Sequence, residues 1–505
     1  MTCRIVGIAL LTAMLVTSIS AGQTAGQTVP LYGTVEIVLT SNASYNGEAG
    51  EPNPFDLDVT AQVVSPSGRR FTVPGFFDGD GQGGAVGRVF KVRVCPDEPG
   101  TWKWTIADGT SGVPGLSGRS GELSVSGRLP GFFGKGPIVD DPARPRFFRQ
   151  QKGGPVFLTG KFLDVAAPSP IQYSHTLLSE KLSDADREAM LRRHLDLKLN
   201  KINVYLANRG DYGGVSTTPW VGTAAANDKR RFDLGRWRSY DRWVERIRDS
   251  GMVAQLWFFA DDSGFGDLPD ADRRRLMRYG MARLSGYVNT MFTLALEWQE
   301  GWSVEEVHAS GDFLQRNNPW ARLVSVHGVT GDFAFPAASW VDYLDLQAGN
   351  SADLQAVHAL GLANRARAGK PLLQEEHGLG EENAENRRKA WAAFTAGAAG
   401  VGTGAFLEHL AKFASLVDFS RMEPADGLVT AGRGYALADR GRDYAVYLYG
   451  GTGVRVNLRG AAGSFKVEWY DPRKGVFQPA PPVEGGRIRI FNAPSQDDWV
   501  LYIHK

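Results

Sequence analysis

Hydrophobic and polar positions change their period twice along this chain. From about Leu31 to Gly127 they alternate in short runs, Thr34–Leu39, Leu57–Val63 and Val89–Val94, with turn clusters Ser65-Pro66-Ser67-Gly68 and Asp78-Gly79-Asp80-Gly81 between them. Period-two alternation punctuated in this way predicts a β-sandwich over residues 30–127. Between 147 and 422 apolar strand-like runs alternate with helical patterns. The runs are Pro155–Gly160, Lys201–Leu206, Val253–Phe259, Phe292–Glu297, Leu323–His327, Tyr343–Gln347, Leu372–Glu376 and Gly402–Leu407. Amphipathic helices are predicted over Asp184–Leu197, Trp237–Asp249, Asp270–Leu284, Leu354–Ala368 and Ala384–Ala396. Eight strands at this spacing fit a (β/α)8 barrel. Over 432–505 short strands return, at Asp443–Tyr449, Val454–Leu458, Phe465–Tyr470, Arg487–Ile490 and Trp499–Ile503, which predicts a second small β-sandwich. The expected class is multidomain α/β plus all-β, a central TIM barrel with a β-sandwich on each side.

Neighbouring side chains of a strand point to opposite faces. In the second strand Ile202, Val204 and Leu206 oppose Asn203 and Tyr205; in the third Ala254, Leu256 and Phe258 oppose Gln255 and Trp257. Leu294 and Leu296 oppose Thr293, Ala295 and Glu297 in the fourth, Val324 and Val326 oppose Ser325 and His327 in the fifth, and Leu344 and Leu346 oppose Tyr343, Asp345 and Gln347 in the sixth. Each strand has one aliphatic set for the helices and one polar or aromatic set for the barrel axis. The same count in the seventh strand sends Gln374 and Glu376 to the axis and Glu375 to the helices.

Composition narrows the class without choosing a chemistry. The 505 residues exceed one ordinary core, and 43% hydrophobic with 22% charged residues is a folded composition. Charge is balanced, 56 basic against 55 acidic residues, so nothing electrostatic calls for nucleic acid or an anionic membrane. Arg4 followed by the apolar run Ile5–Ile19 and small residues to Ala21 predicts a signal peptide over 1–21 and a secreted, periplasmic or cell-surface protein; no membrane span is expected. Removing that segment removes Cys3 and leaves Cys95 alone, read as strand packing. Neither the Cys nor the eight His show metal-ligand spacing, so no metal and no organic cofactor is expected. Asp78 and Asp80 lack a full calcium-loop spacing and read as a solvated turn.

Two strands end in a carboxylate: Thr293-Leu294-Ala295-Leu296-Glu297-Trp298 and Pro371-Leu372-Leu373-Gln374-Glu375-Glu376-His377-Gly378. A pair of carboxyls facing each other at a barrel mouth is what cleavage of a glycosidic bond needs, one to protonate the leaving oxygen and one to attack or stabilise the sugar cation. Six further residues at or beyond strand ends are candidates for holding a sugar: Asn208, Trp257, Trp298, His327, Gln347 and His377. Arg209, Asp211, Asp261 and Asp262 lie on the same loops. For each the competing reading is packing or a solvated loop.

Leu296-Glu297-Trp298 resembles the Asn-Glu(-Trp) acid/base motif of retaining glycosidases whose catalytic glutamates end strands four and seven. Lys370–Gly378 resembles their seventh-strand nucleophile motif. The whole layout is similar to secreted bacterial polysaccharide-degrading proteins of the apiosidase-like barrel group, which carry an N-terminal β-sandwich of unknown function and a C-terminal collagen-binding-type β-domain; Val467–Gly475 and Asp498–Leu501 resemble that last module. The resemblance implies a glycoside hydrolase acting on a carbohydrate, with Glu297 as acid/base, its pKa raised by partial burial and the neighbouring carboxylate, and Glu376 as nucleophile, Glu375 being the rival. Leu296 stands where these enzymes usually have an Asn that bonds the sugar 2-hydroxyl. Two other classes stay open: a non-catalytic carbohydrate-binding protein on this scaffold, and a cell-surface interaction protein.

Overall fold

The protein is described by a computed structural model, which covers residues 17–20, 28–108, 112–161, 163–212, 215–260, 265, 267–349, 351–378 and 380–505. Its centre is a (β/α)8 barrel. The barrel strands, in chain order, are β1 (Leu158–Thr159), β2 (Lys201–Tyr205), β3 (Val253–Phe259), β4 (Thr290–Ala295), β5 (Val324–Ser325), β6 (Leu344–Gln347), β7 (Leu372–Glu376) and β8 (Gly400–Val401). All pair in parallel, as β2-β3-β4-β5 and β1-β8-β7-β6. A parallel bridge from His327 to Asp345 joins the two arcs on one side. On the other side the Asn200 side chain does the joining: its Oδ1 accepts from Thr159 N at 2.7 Å while Asn200 N donates to Thr159 O at 3.1 Å.

Among the described residues seven helices surround the strands: α1 (Asp184–Asp196), α2 (Leu234–Asp249), α3 (Asp270–Leu284), α4 (Val304–Arg316), α5 (Leu354–Arg367), α6 (Ala384–Thr395) and α7 (Leu407–Leu416). Capping boxes start α1 (Ser183 with Asp186) and α4 (Ser303 with Glu306). The α4 box was readable in the sequence although no helix was predicted there. The eighth strand is a correction. It occupies Gly400–Val401 and not 402–407, because the chain leaves the sheet at Gly402, whose missing Cβ makes room for the Glu375 carboxylate, and Phe406 (φ 54) turns it into α7. Below the barrel a three-stranded sheet, Ile138–Asp141, Arg144–Gln150 and Pro155–Val156, brings Phe148 against Tyr343 at the start of β6.

The N-terminal sandwich is built from strands Val35–Asn46, Thr60–Val64, Arg70–Phe77, Val86–Val94, Gly100–Ile106 and Ser120–Arg128, with Arg70–Phe77 crossing from one sheet to the other. Residues 1–16 and Ala21, where the export segment and its cut are expected, lie outside the described residues; Thr17–Ser20 pairs in parallel with Val35–Val38. The sandwich sits on α2 and α3 through a buried ionic lattice. Arg93 bonds Glu36 and Asp241, Arg283 bonds Asp78 and Asp241, and Lys91 bridges Glu36 and Asp78. Asp78 is thus a buried ion-pair partner rather than part of a solvated turn. The C-terminal domain covers α5–α7, where Arg387 holds Asp498 bidentately and Trp391 stacks on Tyr447. Both β-domains contact the outer helices of the barrel. Among the described residues no helix is long and apolar enough to cross a membrane.

Candidate active site

The barrel interior is polar in its lower half. Lys201 Nζ, with no exposed surface, donates to Glu375 Oε1 and Oε2 (2.9 and 3.0 Å), Asn203 Oδ1 (2.7 Å) and Gln255 Oε1 (2.6 Å). Asn203 Nδ2 donates to Glu375 at 2.8 Å, and Gln255 Nε2 reaches Thr293 and Asp345, both at 3.0 Å. Tyr343 closes the ring against Thr293 at 2.9 Å. These contacts bear out the axis-facing positions predicted for Asn203, Gln255, Thr293, Tyr343 and Asp345. Burial and then the charge of Glu375 push the Asp345 carboxyl well above the ordinary range.

Strand seven departs from the alternation. Asp345 pairs with Leu373 and Leu346 with Gln374, but Gln347 pairs with Glu376, so Glu375 is an extra residue, a β-bulge. Before the bulge the axis-facing residues are Leu373 and Glu375; the expected axis position of Gln374 is overturned, and so is the expected helix-facing position of Glu375. Gln374 fixes the bulge by donating to Leu346 O and Glu376 O (3.3 and 3.0 Å), and Thr403 Oγ1 donates to Glu375 O at 2.7 Å. After the bulge Glu376 shares the face of its partner Gln347, at the C-terminal ends of the strands. Glu376 is half-buried. His377 is fully buried, and the cation it senses is Lys389 of α6; burial and that charge hold its pKa down to about 3.

Strand four breaks its own alternation at the same level. Ala295 is its last residue, Leu296 N donates to Phe259 O at 2.9 Å, and Glu297 takes a left-handed backbone (φ 39, ψ 52). Such a conformation is costly for a residue with a side chain and collects at functional positions. Just before it, Leu296 packs on Tyr205, Trp257 and Ala260, the axis side, where strict alternation had sent it to the helices. Glu297 is half-buried beyond it.

The other candidates fall in three places. Trp257 and His327 lie in the barrel interior one layer above Gln255, with ring centroids 5.2 Å apart. His327 is fully buried, and burial together with Lys201 pushes its pKa down to about 3, which leaves a neutral imidazole. Among the described residues both its ring nitrogens, Trp257 Nε1 and Gln347 Oε1 have no hydrogen-bond partner. Asn208, buried, opens the hairpin of Asn208–Tyr212 with Val215–Thr217 that follows β2. Trp298 is buried against Phe335 (centroids 5.0 Å apart) and borders a narrow cleft with Phe333 and Gln347, which leaves it little open face for a sugar. Asp261 and Asp262 lie outside the described residues, and the side chains of Arg209 and Asp211 are not described. Sequence reasoning missed Lys201, whose lone charge in an apolar strand was the available signal. It also missed His175, whose ring lies 4.6 Å from Tyr205 and whose Tyr-Ser-His context carries no motif.

Residues 28–108 match a family described as a "Domain of unknown function (DUF5060)", and residues 426–504 one described as a "Putative collagen-binding domain of a collagenase". No curated protein matches. Solved structures do. A protein described as a "putative glycoside hydrolase" from Bacteroides vulgatus ATCC 8482 superposes with a TM-score of 0.76 over 95% of this chain and 100% of its own, at 17% identity. The chain shares its fold with glycoside hydrolases. A family 5 glycoside hydrolase from the same organism follows at 0.61 (15% identity, 74% of this chain and 94% of that one), and a further glycoside hydrolase at 0.60 (17% identity, 75% and 99%).

Proposed function

We propose that the chain is an exported glycoside hydrolase that cleaves a polysaccharide or oligosaccharide with Glu297 as acid/base and Glu376 as nucleophile. The observation that carries this reading is the pair of local irregularities at the same rim of the barrel. A left-handed residue on strand four and a bulge on strand seven each bring a half-buried carboxylate to the C-terminal end of the barrel, the end where barrel enzymes carry their chemistry. The bonds of Glu375 weigh for Glu376 as the nucleophile, since Lys201 and Asn203 engage both Glu375 oxygens.

In the first step the Glu376 carboxylate forms a bond to the anomeric carbon while the glycosidic C–O bond breaks and Glu297 gives its proton to the departing oxygen. In the second, Glu297 takes a proton from water, whose oxygen displaces Glu376 and restores both groups. Retention follows if the carboxyls stand about 5–5.5 Å apart. The neutral His327, Trp257 and Gln347 supply hydrogen-bonding atoms for the sugar hydroxyls.

The test is a polysaccharide panel with product analysis by chromatography, run with wild type, Glu297→Gln and Glu376→Gln. A hydrolase loses roughly 10²–10⁴ in rate in the variants while keeping sugar binding. Binding with no turnover in wild type identifies a carbohydrate-binding protein instead. The match over 426–504 favours a second reading, attachment to a protein partner; a pull-down whose yield is independent of added sugar supports it.

A further inference from the structure

We infer that the sugar held beside Glu297 and Glu376 is a deoxy sugar, which places a methyl or methylene group against Leu296 where a common hexose carries a hydroxymethyl or hydroxyl group. The inference takes the location of the site from the hydrolase reading and adds the substrate class.

Tyr205, Trp257, Ala260 and Leu296 form an apolar cluster of their own, separate from the core that fills the space between strands and helices. Beneath them is the polar layer of Lys201, Asn203, Gln255 and Glu375, so the cluster is an apolar island above a polar floor. Leu296, 7% exposed, is the member that most reaches solvent, and it immediately precedes Glu297. At the margin of the island stand buried polar atoms without partners among the described residues: Trp257 Nε1 and both nitrogens of His327, whose ring lies 5.2 Å from that of Trp257. A ligand that satisfies this arrangement is amphipathic on the scale of one sugar ring, with hydroxyls toward the indole and imidazole nitrogens and a hydrocarbon group toward Leu296.

Against that wall an extra hydroxyl would give up its water without gaining a bond, because the aliphatic side chain of Leu296 offers neither donor nor acceptor. Apolar pockets discriminate against an added hydroxyl by roughly a hundredfold at most. A preference of about tenfold to a hundredfold for the deoxy member of a matched pair is therefore expected.

The experiment titrates the full chain with methyl glycosides in matched pairs: D-fucose against D-galactose, L-rhamnose against L-mannose, and 2-deoxy-D-glucose against D-glucose. Glu376→Gln protein replaces wild type wherever turnover interferes. At least one pair should show the deoxy sugar bound tenfold or more tighter. Leu296→Asn should bring that ratio close to one and Leu296→Met should keep it, with melting temperatures confirming that both variants fold. If Leu296→Asn does not fold, Leu296→Thr takes its place. Ratios near one or reversed in every pair, no binding by any member, or a ratio untouched in a folded polar variant overturns the inference. Deoxy-selective binding without turnover leaves it standing and ends the hydrolase reading; turnover without selectivity does the reverse.

Discussion

Replacing Lys201 by Met tests the position of Glu375 and with it the bulge that aims Glu376. Lys201 and Glu375 are 0% and 1% exposed, and the ammonium makes two bonds to the carboxylate and one each to Asn203 and Gln255. Lys201→Met keeps the aliphatic stem but strands an anion inside the barrel with Asn203 as its remaining close donor and the acidic Asp345 as a neighbour. Removing one partner of a buried pair costs about 3–5 kcal/mol. In Lys201→Met/Glu375→Gln the anion is gone and the Asn203 bond can persist, so part of the loss should return, with a coupling of about 2–3 kcal/mol in the double-mutant cycle. Urea unfolding of the four proteins supplies the numbers. Additive single effects, or a loss under about 1 kcal/mol for Lys201→Met, would refute the buried pair. Glu375 would then stand toward the helices, as strict alternation has it.

Gly402→Ala puts a methyl carbon 2.0 Å from Glu375 Oε1 and 2.8 Å from Glu375 O. It should cost about 1–3 kcal/mol in the same unfolding assay, with a loss of turnover that Ala substitution at the open Gly369 does not produce. His194, His327 and His377 are fully buried, with pKa values held at about 4, 3 and 3 against an ordinary 6.5. The unfolded chain binds protons that the folded chain refuses, so their contribution is present above pH 6.5 and is lost as pH falls toward 3. Each adds a slope of up to about 1.4 kcal/mol per pH unit. The urea midpoint should drop between pH 6.5 and 4.5 and drop less in His377→Gln; a pH-independent midpoint counts against neutral buried imidazoles. Arg387→Ala leaves Asp498, fully buried, with Tyr447 at 3.2 Å and no bidentate partner. A loss of about 3–5 kcal/mol is expected, read as earlier proteolytic release of the C-terminal domain; unchanged proteolysis would mean that the pair does not fasten that domain.

The fold was largely legible because period-two and helical patterns report burial directly. Strands two, three, five and six lie where their aliphatic sets placed them, and the polar contacts of Asn203, Gln255, Thr293, Tyr343 and Asp345 vindicate the axis-facing sets. The failures concentrate where the backbone leaves regular geometry. Alternation assumes one residue per pleat, so a bulge at Glu375 reverses the faces of Gln374 and Glu375 while Glu376 keeps its own, and at the end of strand four Leu296 stands on the other face just before the left-handed Glu297. Neither has a local sequence signature: no glycine marks Glu297, and Gln374, which fixes the bulge, reads as an ordinary axis residue. The eighth strand was misplaced because Gly402 and Gly404 interrupt an apolar run that turns out to be a loop and the start of α7. The inter-domain lattice around Arg93, Asp241 and Arg283 was invisible for a different reason. Arg93 is 148 residues from Asp241 and 190 from Arg283 along the chain, and charge in a strand or helix gives no hint of so distant a partner.

The central claim is that Glu376, and not Glu375, attacks the sugar. Once the panel identifies a released sugar, its activated 2-deoxy-2-fluoro glycoside can be incubated with the full chain and the digest mapped by mass spectrometry. The account predicts one fluorosugar ester on Glu376, absent from Glu376→Gln and still formed in a folded Glu375→Gln. A label on Glu375, or turnover that survives Glu376→Gln undiminished, would contradict it.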